Sequence, residues 1–212
     1  MNDSEAVTTL PRKERERLVH RREILEAAER VFARNGYQGT TVEQIAQEAE
    51  FAVGTLYNFF GSKEELYQEV LASHIEDALA LFRERVLDEA DPVAAVVALI
   101  ELRLEILDRH KGFARVVFQT PMAEHGDASL ALPPRCLALI EEAQAGFARV
   151  LERGIAAGVF VDVGAADLAV CLQGILNAFI AQWLLHEPRE PVAERAARLR
   201  RVVLSLILRG RN

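Results

Sequence analysis

A chain of 212 residues, half of them hydrophobic, is long enough to bury one large core or two small ones. Its formal charge of −7 argues against a protein that coats a polyanion with its whole surface. Met1 to Thr9 lacks a basic start followed by an apolar run, so no export signal is expected. Cys136 and Cys171 lie far apart without metal-ligand spacing, which points to reduced thiols in core positions of a cytoplasmic protein.

Helical punctuation is clear along the chain, and strand-like alternation is absent. A first helix is predicted from about Glu14 to Arg34, with Ile24, Ala28, Val31 and Phe32 on one stripe and a stop at Asn35-Gly36. Thr41-Val-Glu-Gln44 reads as a capping box opening a short second helix that ends near Glu48. A third short helix covers Ala52 to Phe59, and a second capping box, Ser62-Lys-Glu-Glu65, opens a long fourth helix toward Leu87. Asp91-Pro92, an N-cap followed by proline, starts a fifth helix that runs to about Arg109. The sixth covers Phe113 to Gln119, and a loop is expected over 121–132. The seventh spans Pro134 to Ala157, the eighth Ala165 to His186, and the ninth Val192 to Leu208. Nine helices without strands is an all-α fold, with an N-terminal three-helix domain at 1–68 and a larger helical domain at 69–212.

Charge is unevenly spread over this scaffold. Residues 11–22 carry Arg12, Lys13, Arg15, Arg17, Arg21 and Arg22 against Glu14 and Glu16, and residues 51–63 carry Lys63 and no acid. Both stretches are compatible with a phosphate backbone, although a solvated helix start would look the same. Helices two and three have the spacing of a helix-turn-helix, over about 41–60. Ile45, Ala49 and Leu56 point inward, and Ala49-Glu50-Phe51 forms the turn. In such a unit the second helix enters the major groove by its N-terminal residues, which must be small or hydroxylated; here they are Ala52, Val53, Gly54 and Thr55. Thr41, Tyr57 and Lys63 can donate to phosphates around the rim.

The runs Arg22-Glu-Ile-Leu-Glu-Ala-Ala-Glu-Arg-Val-Phe-Ala-Arg-Asn-Gly-Tyr, Gly39-Thr-Thr-Val-Glu-Gln-Ile-Ala and Val53-Gly-Thr-Leu-Tyr-Asn-Phe-Phe-Gly-Ser-Lys-Glu-Glu-Leu66 together resemble the TetR family of bacterial transcriptional regulators. The resemblance spans roughly residues 15–70. It implies DNA contacts from Thr40, Thr41, Ala52, Val53, Gly54, Thr55, Tyr57, Asn58 and Lys63. The phosphate contacts fall to Thr41, Thr55, Tyr57 and Lys63, and the contacts at or near bases to Val53, Gly54 and Asn58. Three positions depart from the family pattern. Glu50 stands where glycine is frequent in the turn, Val53 where a polar reader is frequent, and Phe59 where histidine is frequent.

One reading head covers few base pairs, so a homodimer on a palindromic double-stranded DNA operator is expected. The eighth helix is apolar nearly all round, and Leu168 to Leu185 carries no charge. That length borders on a membrane span, but Gln173, Asn177 and Gln182 interrupt it and no basic cluster flanks its start, so a helix buried in a dimer is the better reading. With the ninth helix it resembles the family's intermolecular four-helix bundle, which makes Leu172, Ile175, Leu176, Trp183, Leu199, Val203 and Leu206 the candidate interface. The family further implies a pocket for a small-molecule effector of apolar or aromatic character, lined by Phe82, Leu102, Phe113, Phe118, Phe147, Gln173, Asn177 and Phe179. Arg103 and Arg149 could pair with an anionic effector, but solvated surface is the simpler reading for both. No cofactor or metal is implied. The five histidines are scattered, and no phosphate loop or nucleophile motif points to an enzyme. The rival to a repressor released by its effector is a helical protein-interaction module that binds no DNA.

Overall fold

The computed structural model describes residues 11–119, 133–186 and 190–209, with only the backbone described for Phe118 and Gln119. The expected loop over 121–132 lies outside them. Nine α-helices form among the described residues: α1 Arg12–Asn35, α2 Val42–Ala49, α3 Val53–Phe59, α4 Lys63–Phe82, α5 Pro92–Arg109, α6 Lys111–Gln119, α7 Pro134–Ala156, α8 Ala165–His186 and α9 Val192–Ile207. They contain no strand; a lone antiparallel bridge pairs Phe160 with Leu208. The chain divides into two compact units, one of described residues up to Ala72 and one from Ser73 onward.

The first unit grows from α1. Ile24, Leu25, Ala27, Ala28, Val31 and Phe32 recur at helical spacing and are buried, giving α2 a surface to lie on. Gly36 ends the helix at φ 72°, a conformation an L side chain enters only with strain. At 8 and 7 residues, α2 and α3 are too short to persist alone. Ile45, Leu56 and Phe60, each at most 3% exposed, hold them in place, and each such burial contributes about 1.5–3 kcal/mol. The capping box at α2 forms in full: Gln44 N–H donates to Thr41 Oγ1 at 3.3 Å, and Thr41 N–H donates to Gln44 Oε1 at 3.0 Å. The second capping box closes differently from expectation. Glu65 N–H donates to Ser62 Oγ, but the Glu65 carboxylate reaches back to Gly61 N–H at 2.8 Å.

Polar ties also fasten the unit, among them an Arg21–Glu69 ion pair between α1 and α4. Glu48 accepts from Arg34 Nη2 at 2.5 Å and from Arg30 Nε at 2.8 Å, joining α2 to α1. Those hydrogen bonds, Arg34 first, draw its carboxyl pKa down to about 2. Lys63 Nζ donates to the carbonyls of Tyr37 at 3.0 Å and Thr40 at 2.9 Å, and sits 4.5 Å from the centre of the Tyr37 ring. In the turn between α2 and α3, Glu50 adopts φ 59°, and Phe51 N–H returns to Ala46 O at 3.0 Å.

In the second unit, α4 ends in a wide π turn over Arg83–Leu87, where an unbroken α-helix was expected. Asp91 caps α5 through Val93 N–H at 3.1 Å, as the Asp-Pro pair predicts. The core gathers Val86, Val96, Ile100, Leu102, Leu151, Leu172, Leu199 and Val203 from α5, α7, α8, α9 and the π turn. Phe160 is fully buried over Gly154, where an added Cβ would lie 2.2 Å from its ring. Around that plug, Val161 N–H donates to Ile207 O and Arg209 N–H to Val159 O, tying the end of α9 to the α7–α8 connection. Cys136 is buried, but Cys171 is exposed on α8, which corrects its expected core position.

Candidate nucleic-acid interface and effector cavity

The outward side of α3 consists of Ala52, Gly54, Tyr57 and Asn58, all exposed, with Val53 and Thr55 half-buried at its edge. Leu56 and Phe60 turn inward, so the short helix separates its aromatics: Phe60 is 3% exposed and Tyr57 50%. Residues 51–62 contribute no acid to this side. Gly54 lies inside α3, yet a Cβ added there would meet no atom within 4 Å. Glycine costs about 0.5–1 kcal/mol against alanine in a helix, and nothing within the unit requires the gap. Arg17, one of the basic residues of the 11–22 stretch, adds a cation here: its guanidinium lies 5.8 Å from the Phe59 ring centre at the end of α3. Its placement beside Phe59 needs the fold, since α1 and α3 meet there only in three dimensions.

Two expected contacts have other roles in the structure. Thr40 is 1% exposed and donates its hydroxyl to Gly36 O at 2.7 Å, so its side chain braces the turn after α1 and does not face outward. Lys63 spends two of its three ammonium donors on Tyr37 and Thr40, leaving one for a phosphate. Thr41 is exposed; its oxygen accepts from Gln44, and its hydroxyl hydrogen-bonds the Glu43 carboxyl. The pKa of that carboxyl is lowered first by its own backbone N–H and then by this bond, so a phosphate there would compete with Glu43 for the proton.

The second unit holds a cavity of about 290 Å³ bounded by α4, α5, α7 and α8. Of the expected lining residues, Phe82, Leu102, Phe147 and Gln173 meet there, with the Phe82 and Phe147 rings edge to face at 6.2 Å. Three do not line it. Phe113 packs its ring on His74 at 5.2 Å, Phe179 on Trp183 at 5.6 Å, and Asn177 is exposed. The Phe118 side chain lies outside the described residues. Arg103, read from sequence as solvated surface, instead lines the cavity and donates to Asn177 Oδ1. Burial lowers its pKa from the ordinary arginine value.

The expected dimer interface is also redrawn. Leu172, Leu176, Trp183, Leu199 and Val203 are at most 4% exposed inside their own chain, so they serve its core, and Ile175 is half-buried. What α8 leaves uncovered is a different stripe, Cys171, Gly174, Ala178, Gln182 and Leu185, with Val170 71% exposed beside it. Leu206 on α9 is 57% exposed, as an interface residue would be. Gly174, like Gly54, has open space where a Cβ would stand.

Known proteins share this fold. The family model described as "Bacterial regulatory proteins, tetR family" matches residues 24–70. The transcriptional repressor KstR2 of Mycobacterium tuberculosis is 33% identical over 144 residues, covering 66% of this chain and 68% of that protein. Its Rhodococcus jostii counterpart is 36% identical over 88 residues, and the match spans only 42% of this chain and 43% of that protein. The crystal structure of the TetR family regulator PfmR from Thermus thermophilus superposes with a TM-score of 0.71 at 26% identity, covering 86% of this chain and 97% of PfmR. FadR from Bacillus subtilis, solved in complex with stearoyl-CoA, shares the fold at a TM-score of 0.72 and 17% identity over 86% of this chain and 97% of its own.

Proposed function

The chain belongs to the TetR family of bacterial transcriptional regulators, and from that premise we propose that it is a cytoplasmic repressor that binds a palindromic operator as a homodimer and leaves it when an effector binds. Residues 1–68 are the DNA-reading part and 69–212 the effector-binding and dimerising part. The observation that carries the reading is Gly54. Its missing side chain has no use inside the protein, and a close backbone approach to a groove supplies one. Thr41, Thr55, Tyr57 and the remaining Lys63 donor would hold phosphates, while Val53 and Asn58 face base edges, Val53 through a thymine methyl.

Dimerisation would bring two copies of the exposed α8 stripe together with Leu206 of α9. Gly174 lets two helix backbones come close, and this use also accounts for an 18-residue window hydrophobic enough to span a membrane yet only 28% buried within its chain. The two reading heads then face major grooves about one helical turn apart, ~34–36 Å. The cavity takes an apolar or aromatic effector. Effector binding shifts DNA affinity only by its preference for one of two protein states, typically about 1–3 kcal/mol of coupling.

Selection from random duplexes at low salt tests the reading. One palindrome should be enriched, and its affinity should fall steeply with added salt. If no duplex is retained, with or without cell extract, the repressor reading fails and a protein-interaction module takes its place.

A further inference from the structure

Among the described residues that line the cavity, Arg103 alone carries a charge, and its polar neighbours there are the neutral Gln144 and Gln173. Its guanidinium offers five N–H donors. It donates to the amide oxygen of Asn177, and among the described residues no carboxylate lies within salt-bridge distance. Elsewhere in the chain Arg30, Arg34, Arg85 and Arg109 each pair with a glutamate. Burial disfavours the charged form of Arg103, and no acidic neighbour compensates. An ion half withdrawn from water into an aliphatic wall is unfavourable unless something of opposite charge meets it. A leucine or glutamine there would avoid that penalty.

We propose that Arg103 reads an anionic head inside the effector cavity, and that the effector is a hydrophobic carboxylate. This rests on the reading of that cavity as the effector site. One guanidinium balances one negative charge, and its planar fork matches a carboxylate through two parallel hydrogen bonds. A phosphate or a CoA ester would bring more charge than the single cation of this cavity neutralises. The carboxylate would sit at Arg103, with the apolar body against Phe82, Leu102 and Phe147.

The full-length protein is titrated calorimetrically with decanoate, decanol and decanoyl-CoA, and the titrations are repeated on Arg103→Gln and Arg103→Lys. Decanoate should bind roughly tenfold or more tighter than decanol. Arg103→Gln should abolish that preference and leave decanol binding unchanged, which also shows an intact cavity. Arg103→Lys should retain part of it, because the charge survives and the fork does not. The assignment is overturned if decanol or decanoyl-CoA binds the unaltered protein as tightly as decanoate, or if the preference survives in Arg103→Gln. Decanol bound without any carboxylate preference would sink the role of Arg103 and leave the effector cavity standing. Binding of none of the three would overturn both.

Discussion

The outer faces of α3 and α8 share an oddity and differ in almost everything else. Each carries an interior glycine, Gly54 or Gly174, beside which a Cβ would find only open space. Each therefore forgoes about 0.5–1 kcal/mol of helix stability for nothing inside its own unit. Around Gly54 stand the phenol of Tyr57, the amide of Asn58 and, at the edge, the hydroxyl of Thr55. Around Gly174 stand Val170, Cys171 and Ala178. The contrast separates two kinds of close approach. Polar, acid-free surroundings suit a hydrated polyanion, and apolar surroundings suit a surface that must leave water altogether. Binding at the first should respond steeply to salt, and binding at the second should not.

Breaking the apolar face should have the largest effect. Val170→Glu combined with Leu185→Glu should yield monomers in sedimentation velocity and weaken operator binding by roughly a hundredfold or more, since one head can no longer recruit the other. A dimer that survives both charges would remove α8 from the interface. Next in size, Gly54→Ala should weaken operator binding roughly tenfold while stabilising the free protein by about 0.5–1 kcal/mol in thermal unfolding. Gly174→Ala provides the contrast: looser dimers, with the salt slope of DNA binding by the residual dimer unchanged. If Gly54→Ala bound its operator normally, α3 would have no close partner.

Tyr57→Phe removes a single hydroxyl and should cost about 0.5–1.5 kcal/mol of binding, similarly on every operator variant. Val53→Ala should instead change which operator is preferred, and parallel titrations of several duplexes distinguish the two patterns. The smallest effect concerns the frame behind α3. Arg34 and Arg30 hold the Glu48 pKa at about 2, below the ordinary 4.5, so the ionised carboxylate stabilises the fold. That contribution is complete above the ordinary value and is lost as pH falls through the lowered one. Glu48→Gln should therefore flatten the melting temperature between about pH 4.5 and 2, and added salt should mimic part of the effect. An unaltered pH profile would show the tie to be energetically idle.

Local signals carried the fold well. The stop at Gly36, the Thr41–Gln44 box and the Asp91-Pro92 start depend on neighbours within a few positions, so composition reveals them. The helix-turn-helix and the outward turn of Tyr57 were legible for the same reason. The orientation of α8 was not. A helix apolar on all sides has no stripe, and nothing local separates Leu172, 1% exposed, from Val170, 71% exposed. The second role of Lys63 was not legible, because its carbonyl partners lie more than twenty positions upstream. Arg103 was misjudged because an isolated charge in a helix is normally solvated, and only the packing of four helices withdraws this one from water.

The Lys63 ammonium has a mechanical consequence. It bolts the first residue of α4 to the loop that leaves α1, through two carbonyls at 3.0 and 2.9 Å. Neither end can slip against the other without breaking charge-assisted hydrogen bonds. The loop between α1 and α2 therefore has no slack relative to the start of α4. Within the first unit, the start of α4 and that loop are thus held as one piece, so displacing either displaces both.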